Sequence, residues 1–416
     1  MKQRLRSLAP DGQRLLRDLE ELASISEESA GDGVNRVAFS KADWRGRTWV
    51  EARMEELGME VRVDEAGNSI GVYPGMEPQF APIALGSHTD SVPNGGKYDG
   101  ALGVLAGLAC VRALYEAGVR LRHPVEVINF SAEEATIGGG TFGSRAMAGL
   151  LDAKVVDQVA LDGRTVADHL AEAGLDPSSV VCATRPEGAL AAYVELHAEQ
   201  GDILSSVGVP VGTVEGIVGI RRYEATFEGF ANHAGTTPME GRRDALVSAA
   251  PFISAVRNVA ISQGIVGTVG SMQISPGSAN VIPGRVTLSV ETRGIREADL
   301  DGAEEELRGL AGESDAAFER VSYKPPVASD PLVLAALESS CEELGFEYKR
   351  MVSGAGHDAM CMAAITRQAM LFVPSRGGIS HSPEEYTDPE SCVAGARVLL
   401  ASLLRLDAKL NDSNGE

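Results

Sequence analysis

Cationic side chains are in short supply in this chain, with 37 Lys and Arg facing 59 Asp and Glu for a formal net charge of −22 at pH 7. That sign excludes a general nucleic-acid binder, because neutralising phosphates needs clustered Lys and Arg. Cysteine is also scarce. Cys110, Cys182, Cys341, Cys361 and Cys392 are scattered without Cys-x-x-Cys spacing, and such an odd set fits neither a disulfide framework nor a thiolate zinc site. Any metal must then be held by His and carboxylates. The longest apolar runs, such as the one ending at Cys110, are punctuated by Gly and fall far short of the ~20 residues that cross a bilayer. Residues 1–18 alternate charged side chains with Leu and contain no apolar signal core, so the expected setting is the cytoplasm, with no membrane partner.

What is present supports a large fold. With 44% hydrophobic and 23% charged residues the chain can bury a sizeable core, and its 416 residues suggest two or three domains. Leu15, Leu16, Leu19 and Leu22 recur at helical spacing and predict a surface helix over 11–25; a second is expected over 43–57 with Asp43 as its N-cap. A strand and turn over 60–73 surround Gly67-Asn68, and then come a buried strand at 83–86, a helix over 102–115 and a buried strand at 125–130. That order with short connections predicts an α/β layer with a parallel component. A further strand is expected at 191–197. Near Gly212 the pattern changes to strand 223–229, helix 244–261, strands 267–275 and 285–293, helix 297–310 and strand 318–323, the split β-α-β order of a small α+β domain. After Pro325-Pro326 the α/β pattern resumes with helix 331–344, strand 347–352, helix 358–365, strand 370–374 and helix 389–406, ending in a frayed polar tail after Lys409. The expected organisation is one α/β domain in two parts, 1–211 and 327–416, interrupted by an inserted domain, 212–326.

Five short stretches carry chemistry. In Gly86-Ser87-His88-Thr89-Asp90-Ser91 the side chains of His88 and Asp90 project to one side of an extended chain, at the carboxyl end of a strand, where open α/β sheets place ligands. His88 could bind a metal while Asp90 fixes its tautomer; a turn-capping Asp beside a hydrogen-bonded His reads equally well. Tyr98-Asp99-Gly100 comes next, in a Gly-rich loop that is also what an ordinary turn looks like. Strand 125–130 runs into Glu133-Glu134, either a solvated loop or a pair of like charges neutralised by a cation, one binding metal and the other moving a proton. His197 in ELHAEQG and His381 in ISHSPEE complete the set. His with carboxylate selects zinc, manganese or cobalt, and a shared Asp could bridge two ions. A dinuclear hydrolase site is the favoured reading.

In that order, His88-x-Asp90, Asp99-Gly100, Glu133-Glu134, His197 and His381 resemble the signatures of the dinuclear metallopeptidase and aminoacylase superfamily. The stretches GSHTDSVPNGGKYDG, GSRAMAG, ELHAEQG, NHAGTTPM, SANVIPG, ETR, GAGHDA and ISHSPEE resemble its hydantoinase/carbamoylase branch, over residues 22–404. That branch comprises N-carbamoyl-L-amino-acid hydrolases, β-ureidopropionases and allantoate amidohydrolases. The resemblance implies a mixed-sheet α/β metallohydrolase domain with an inserted four-stranded, ferredoxin-like α+β domain for dimerisation and as a lid. It implies two divalent ions per subunit, zinc or else manganese, cobalt or nickel, with His88 and His197 on one, Glu134 and His381 on the other, and Asp99 on both. Glu133 would be the general base and Asp90 would orient His88.

From the inserted domain, His233 would donate to the developing oxyanion, while Asn280 and Arg293 would bind the substrate carboxylate, Arg by a two-pronged hydrogen bond. Gln200 would recognise the ureido end, and the loop with Gly356 and His357 would lie against the substrate carboxylate. The implied assembly is a homodimer in which His233 and Asn280 serve the neighbouring subunit's site. One departure stands out: many relatives continue from the paired glutamates with Gly and then Arg-Phe, where this chain has Ala135-Thr136-Ile137-Gly138-Gly139-Gly140, so the side-chain preference of relatives need not apply.

The favoured activity is hydrolysis of an N-carbamoyl-L-amino acid to amino acid, ammonia and carbon dioxide. Allantoate and N-carbamoyl-β-alanine also join a ureido group to a carboxylate and stay open as substrates. A peptidase is disfavoured by His197, where peptidase relatives carry an acid. A non-catalytic metal-binding scaffold is disfavoured by Glu133, which metal binding does not need, and serine catalysis by the lack of a Gly-x-Ser-x-Gly elbow.

Overall fold

Thirteen strands and eleven helices account for the regular structure of the computed structural model, which describes residues 8–28, 31–160 and 162–410. Residues 1–7 of the amino-terminal reading and 411–416 of the tail lie outside them. The chain divides into two compact units, Met1–Glu215 with Ser329–Glu416, and Gly216–Ala328. The divisions fall slightly later than 211/212 and 326/327, because strand Val211–Ile217 runs through the first of them.

The first unit opens with α1 (Gly12–Ala23) and α2 (Lys41–Glu56). The N-cap of α2 is Ser40 rather than Asp43: the Ser40 hydroxyl accepts the Asp43 N–H, and the Asp43 carboxylate accepts the Phe39 N–H. Asp43 therefore sits inside the first turn, where it is fully buried and paired with the equally buried Arg47 at 3.1 Å. Strands β1 (Glu60–Val63) and β2 (Ser69–Tyr73) form the hairpin around Gly67-Asn68. Next come β3 (Ile83–His88), α3 (Ala101–Glu116), β4 (Val125–Phe130), α4 (Phe142–Met147), α5 (Val166–Glu172), β5 (Ala192–Ala198), α6 (Ile203–Val207) and β6 (Val211–Ile217).

The sheet runs β1-β2-β4-β3-β5 and then continues through the returning strand Gln368–Val373 to β6. Its centre is parallel: β4 with β3, β3 with β5, and β5 with Gln368–Val373, while the flanks are antiparallel. Every residue of β3, β4 and β5 is buried, as in a parallel sheet covered on both faces. Helix α3 is apolar all round, with thirteen of its residues buried, and packs in the same core as Leu85, Val127 and Leu196.

The second unit contains β7 (Gly219–Glu228), α7 (Ala245–Ser262), β8 (Val266–Ser275), β9 (Arg285–Gly294), α8 (Glu297–Glu313) and β10 (Ala317–Lys324). They form an antiparallel sheet of order β10-β7-β9-β8 with both helices on one face, the β-α-β-β-α-β order expected. Phe227, Phe252, Leu288, Leu307 and Phe318 fill its core. Among the helices of the described residues, α7 alone is long and apolar enough to cross a bilayer, with a third of that window buried. The run was not legible as such because Pro251, Arg257 and Asn258 interrupt it. Its inner face, including Ala249, Phe252 and Val256, joins the core, while Val247 and Ile261 on the outer face are 69% and 67% exposed.

The chain then adds β11 (Val327–Ala328), α9 (Pro331–Leu344), β12 (Tyr348–Ser353), α10 (Asp358–Met362), β13 (Gln368–Val373) and α11 (Pro389–Lys409). Helix α10 is shorter than the 358–365 expected. The segment 142–190 holds α4, α5 and two short 3-10 turns that composition had not marked.

Candidate metal centre

The four central parallel strands all deliver side chains at their carboxyl ends. His88 ends β3, His197 is the penultimate residue of β5, Glu133 and Glu134 lie just past β4, and His381 lies past β13. This is where a parallel sheet presents ligands. The structure brings His88, Asp99, Glu133, Glu134, His197 and His381 together.

Asp99 sits at the middle of the cluster. Its Oδ1 lies 3.3 Å from His197 Nε2 and 3.6 Å from His88 Nε2, while its Oδ2 lies 3.3 Å from His381 Nε2. His381 Nε2 is in turn 3.5 Å from Glu134 Oε1. Three potential ligand sets have ligand atoms within 4.8 Å of one another, His88–Asp99–His197, Asp99–Glu134–His381 and Glu195–His197–His357, and the first two share Asp99. Those two use different oxygens of the Asp99 carboxylate. Glu133 belongs to neither set, yet its Oε2 is 3.7 Å from His88 Nε2.

The donors are prepared for a cation. Backbone carbonyls face the Nδ1 atoms, Asp90 O at 3.0 Å from His88 and Ala198 O at 2.9 Å from His197, so Nδ1 of each ring donates to a carbonyl and Nε2 is the atom turned inward. Gly100 is obligatory: its φ is +60°, and a Cβ there would stand 2.4 Å from the His88 ring. Protons stand in for metal charge. Burial pushes the His88 pKa down to about 4, keeping the ring neutral. Burial also disfavours charge on His197, but its hydrogen bond to Asp99 outweighs this and lifts it to about 9, and the same partner raises His381 to about 9. Burial and the charge of Asp99 push Glu134 up to about 8, whereas the two histidines overcome burial and hold Asp99 well below 3.8. A buried cluster of acids that retains protons in this way suits a divalent ion, which would displace them.

Other expected residues sit differently. Asp90 orients His88 through its backbone carbonyl; its carboxylate, 3.7 Å from the ring, instead accepts the N–H groups of Glu133 and Glu134 at 3.2 and 3.1 Å. It thereby aims the two glutamates. Gln200 turns its amide to Asp99 Oδ2, donating at 2.8 Å. His357 is buried, faces Ser353 Oγ at 2.9 Å and packs edge-on against His197, so its ring backs a candidate ligand; Gly356 beside it is half-buried.

In the second unit, the exposed His233 accepts the Gly235 and Thr236 N–H groups on Nδ1, leaving Nε2–H to donate outward. Asn280 is beside it, its carbonyl bonded to Ala234. Arg293, bonded to Glu291, is at the opposite end of β9: that strand starts at Arg285, on the Asn280 side, and the span Arg285–Arg293 alone is about 26 Å. One copy of this unit cannot set both Asn280 and Arg293 on one carboxylate.

Three supporting residues had no assigned role. Arg47, wholly buried, donates to the carbonyls of Gly67, Asn129 and Phe130 and so fixes the end of β4. Glu195 accepts from the Ser87 hydroxyl and the Ala359 N–H, each at 2.8 Å; its spacing of two from His197 put it on the same face of the strand. Glu385 reaches the Asp99 loop.

Residues 84–405 match the peptidase family M20/M25/M40, and the chain belongs to that family. The N-carbamoyl-L-amino acid amidohydrolase of Geobacillus stearothermophilus is 40% identical over 403 residues, covering 95% of this chain and 98% of that protein. The allantoate amidohydrolase of Bacillus subtilis is 36% identical over 391 residues, covering 91% and 94%. A hydantoinase/carbamoylase family amidase from Burkholderia multivorans superposes with a TM-score of 0.86 at 36% identity, over 97% of this chain and 99% of that one. Within the family the chain falls in the hydantoinase/carbamoylase branch, hydrolases of carbon–nitrogen bonds other than peptide bonds.

Proposed function

We propose that this chain hydrolyses the carbamoyl C–N bond of an N-carbamoyl-L-amino acid, giving the amino acid, ammonia and carbon dioxide, and that it works with two divalent cations. The observation that carries this reading is the Asp99 carboxylate, each of whose oxygens faces a separate histidine-containing ligand set with Glu133 alongside. His88 and His197 would hold one cation, Glu134 and His381 the other, and Asp99 both. The cations would polarise the carbamoyl carbonyl and acidify a water. The donor set accepts zinc, manganese, cobalt or nickel.

Glu133 takes a proton from the attacking water and returns it to the departing nitrogen. Burial, then the charge of Asp358, raises the pKa of its carboxyl well above 4.5. Asp90 keeps Glu133 aimed through the backbone bond described above. Gln200, Gly356, Asn280 and Arg293 bind the ureido and carboxylate ends of the substrate, and His233 Nε2–H donates to the oxyanion.

The separation of Asn280 from Arg293 along β9 favours a homodimer, since a substrate held by both draws on two copies of the chain. Strand β8 supplies a face for it: an edge strand without a charged residue, with Val266 and Met272 exposed. Uncharged edges are templates for pairing with another chain, and the outer face of α7 adds Val247 and Ile261.

Allantoate is the second reading, supported by the Bacillus subtilis relative. Ammonia release from N-carbamoyl-L-amino acids, N-carbamoyl-β-alanine and allantoate separates the substrates. The highest kcat/KM is expected on an N-carbamoyl-L-amino acid; silence on all three groups refutes the proposal.

A further inference from the structure

Glu385 is buried while its neighbour Glu384 is exposed, and both of its oxygens are engaged. Oε1 accepts the backbone N–H groups of Tyr98 at 2.9 Å and Asp99 at 3.1 Å. Oε2 lies 3.1 Å from the Ser380 hydroxyl, and that same hydroxyl is 3.0 Å from Asp99 Oδ2. Room for the carboxylate depends on Gly96, where a Cβ would stand 2.2 Å from Glu385 Oε1. The Glu385 N–H bonds the Ser382 carbonyl at 3.0 Å, closing the turn beside His381, itself held at a φ of +55°.

We infer that Glu385 is a positioning residue that locks the Asp99 loop to the His381 loop, so that the shared carboxylate and a ligand of the second cation move as one body. This rests on the ligand assignment proposed above. A carboxylate so near Asp99 repels it, so the lock does not work by charge attraction. It works through the two N–H groups that Glu385 gathers and through the Ser380 hydroxyl, whose single proton serves one of the two carboxylates at a time, while the negative charge of Glu385 adds to the pull on a dication. Glutamine at this position keeps an oxygen for the two N–H groups; alanine keeps nothing.

The test is chelator competition with Zn²⁺ on the full chain, run for wild type, Glu385→Gln and Glu385→Ala, with thermal midpoints of the metal-free proteins alongside. Wild type is expected to take up two ions. Glu385→Ala should hold the ion of the Asp99–Glu134–His381 set roughly ten- to a hundredfold more weakly, the usual weight of a residue behind a ligand, and the other ion more weakly by a smaller factor, since there only Asp99 is disturbed. Glu385→Gln should recover most of that loss. Loop anchoring alone would lower the metal-free midpoint and leave both affinities unchanged, and that result overturns the inference, as does a Gln variant as weak as the Ala variant. Should the Ala variant fail to fold, Gly96→Ala displaces the carboxylate without removing it and is expected to weaken the same ion; unchanged affinity there also overturns the lock. A wild-type chain that takes up no pair of ions overturns the ligand assignment itself.

Discussion

The two groups of candidate residues differ in how much of their geometry a single chain completes. In the first unit His88, Asp99, Glu134 and His197 are buried, their rings and carboxylates pinned by backbone groups and one another. In the second, His233 and Asn280 lie on exposed loops at one end of a sheet and Arg293 lies at the other. The buried group therefore has its ligand sets formed within one chain. The exposed group places its donors at opposite ends of its own sheet, with Arg293 bonded to Glu291.

The largest effect expected sharpens the first half of that contrast: Glu133→Gln should lower kcat by roughly a hundredfold to ten-thousandfold with metal content unchanged. Full activity in that variant would remove Glu133 from the mechanism. On the other side, His233→Ala should cost about a hundred- to a thousandfold in kcat. If His233 serves the neighbour's site, co-expressing it with Glu133→Gln should restore about a quarter of wild-type activity, because half of randomly assembled dimers are mixed and each has one complete site. Absence of recovery would break the comparison. Arg293→Lys keeps the charge but loses the two-pronged bond, and should raise KM for carboxylate substrates by about ten- to a hundredfold.

The smallest effect concerns pH. In the metal-free protein His197 and His381 titrate near 9 and Glu134 near 8, all above the ordinary 6.5 and 4.5. Groups that bind protons more tightly when folded contribute stability that is lost as pH rises through their folded values. The metal-free thermal midpoint should therefore fall between pH 6.5 and 9, while metal affinity rises over the same interval because those protons must leave. A midpoint that climbs with pH would contradict the assigned environments.

Much of the buried group was readable because His88, His197 and the Glu133-Glu134 pair lie at or just beyond the end of a strand, and a strand's end is a local property of sequence; Asp99, in a glycine-rich loop, was not marked that way. Ile83–His88 begins with the apolar Ile-Ala-Leu-Gly and Val125–Phe130 is rich in β-branched and aromatic residues, and the residues at or just after their ends land at the sheet edge. The supporting contacts were not readable, since they join residues far apart in sequence. Nothing local to ISHSPEE says that Glu385 rather than Glu384 turns inward, and nothing near His357 says that its ring packs behind His197. Asp90 shows the limit well: its place beside His88 was legible, but whether carbonyl or carboxylate meets the ring depends on the position of the Glu133 N–H. Asp43 was misplaced for a related reason, since a helix start rich in cap formers offers both Ser40 and Asp43, and the buried Arg47 decides between them.

The most direct test is the number of divalent ions retained per chain after equilibrium dialysis of the wild type and of Asp99→Ala. Two ions in the wild type and fewer than one in the variant are predicted, because each set loses its common carboxylate. A wild type that retains none, or an Asp99→Ala chain that still retains two, would contradict a shared carboxylate at the heart of this site.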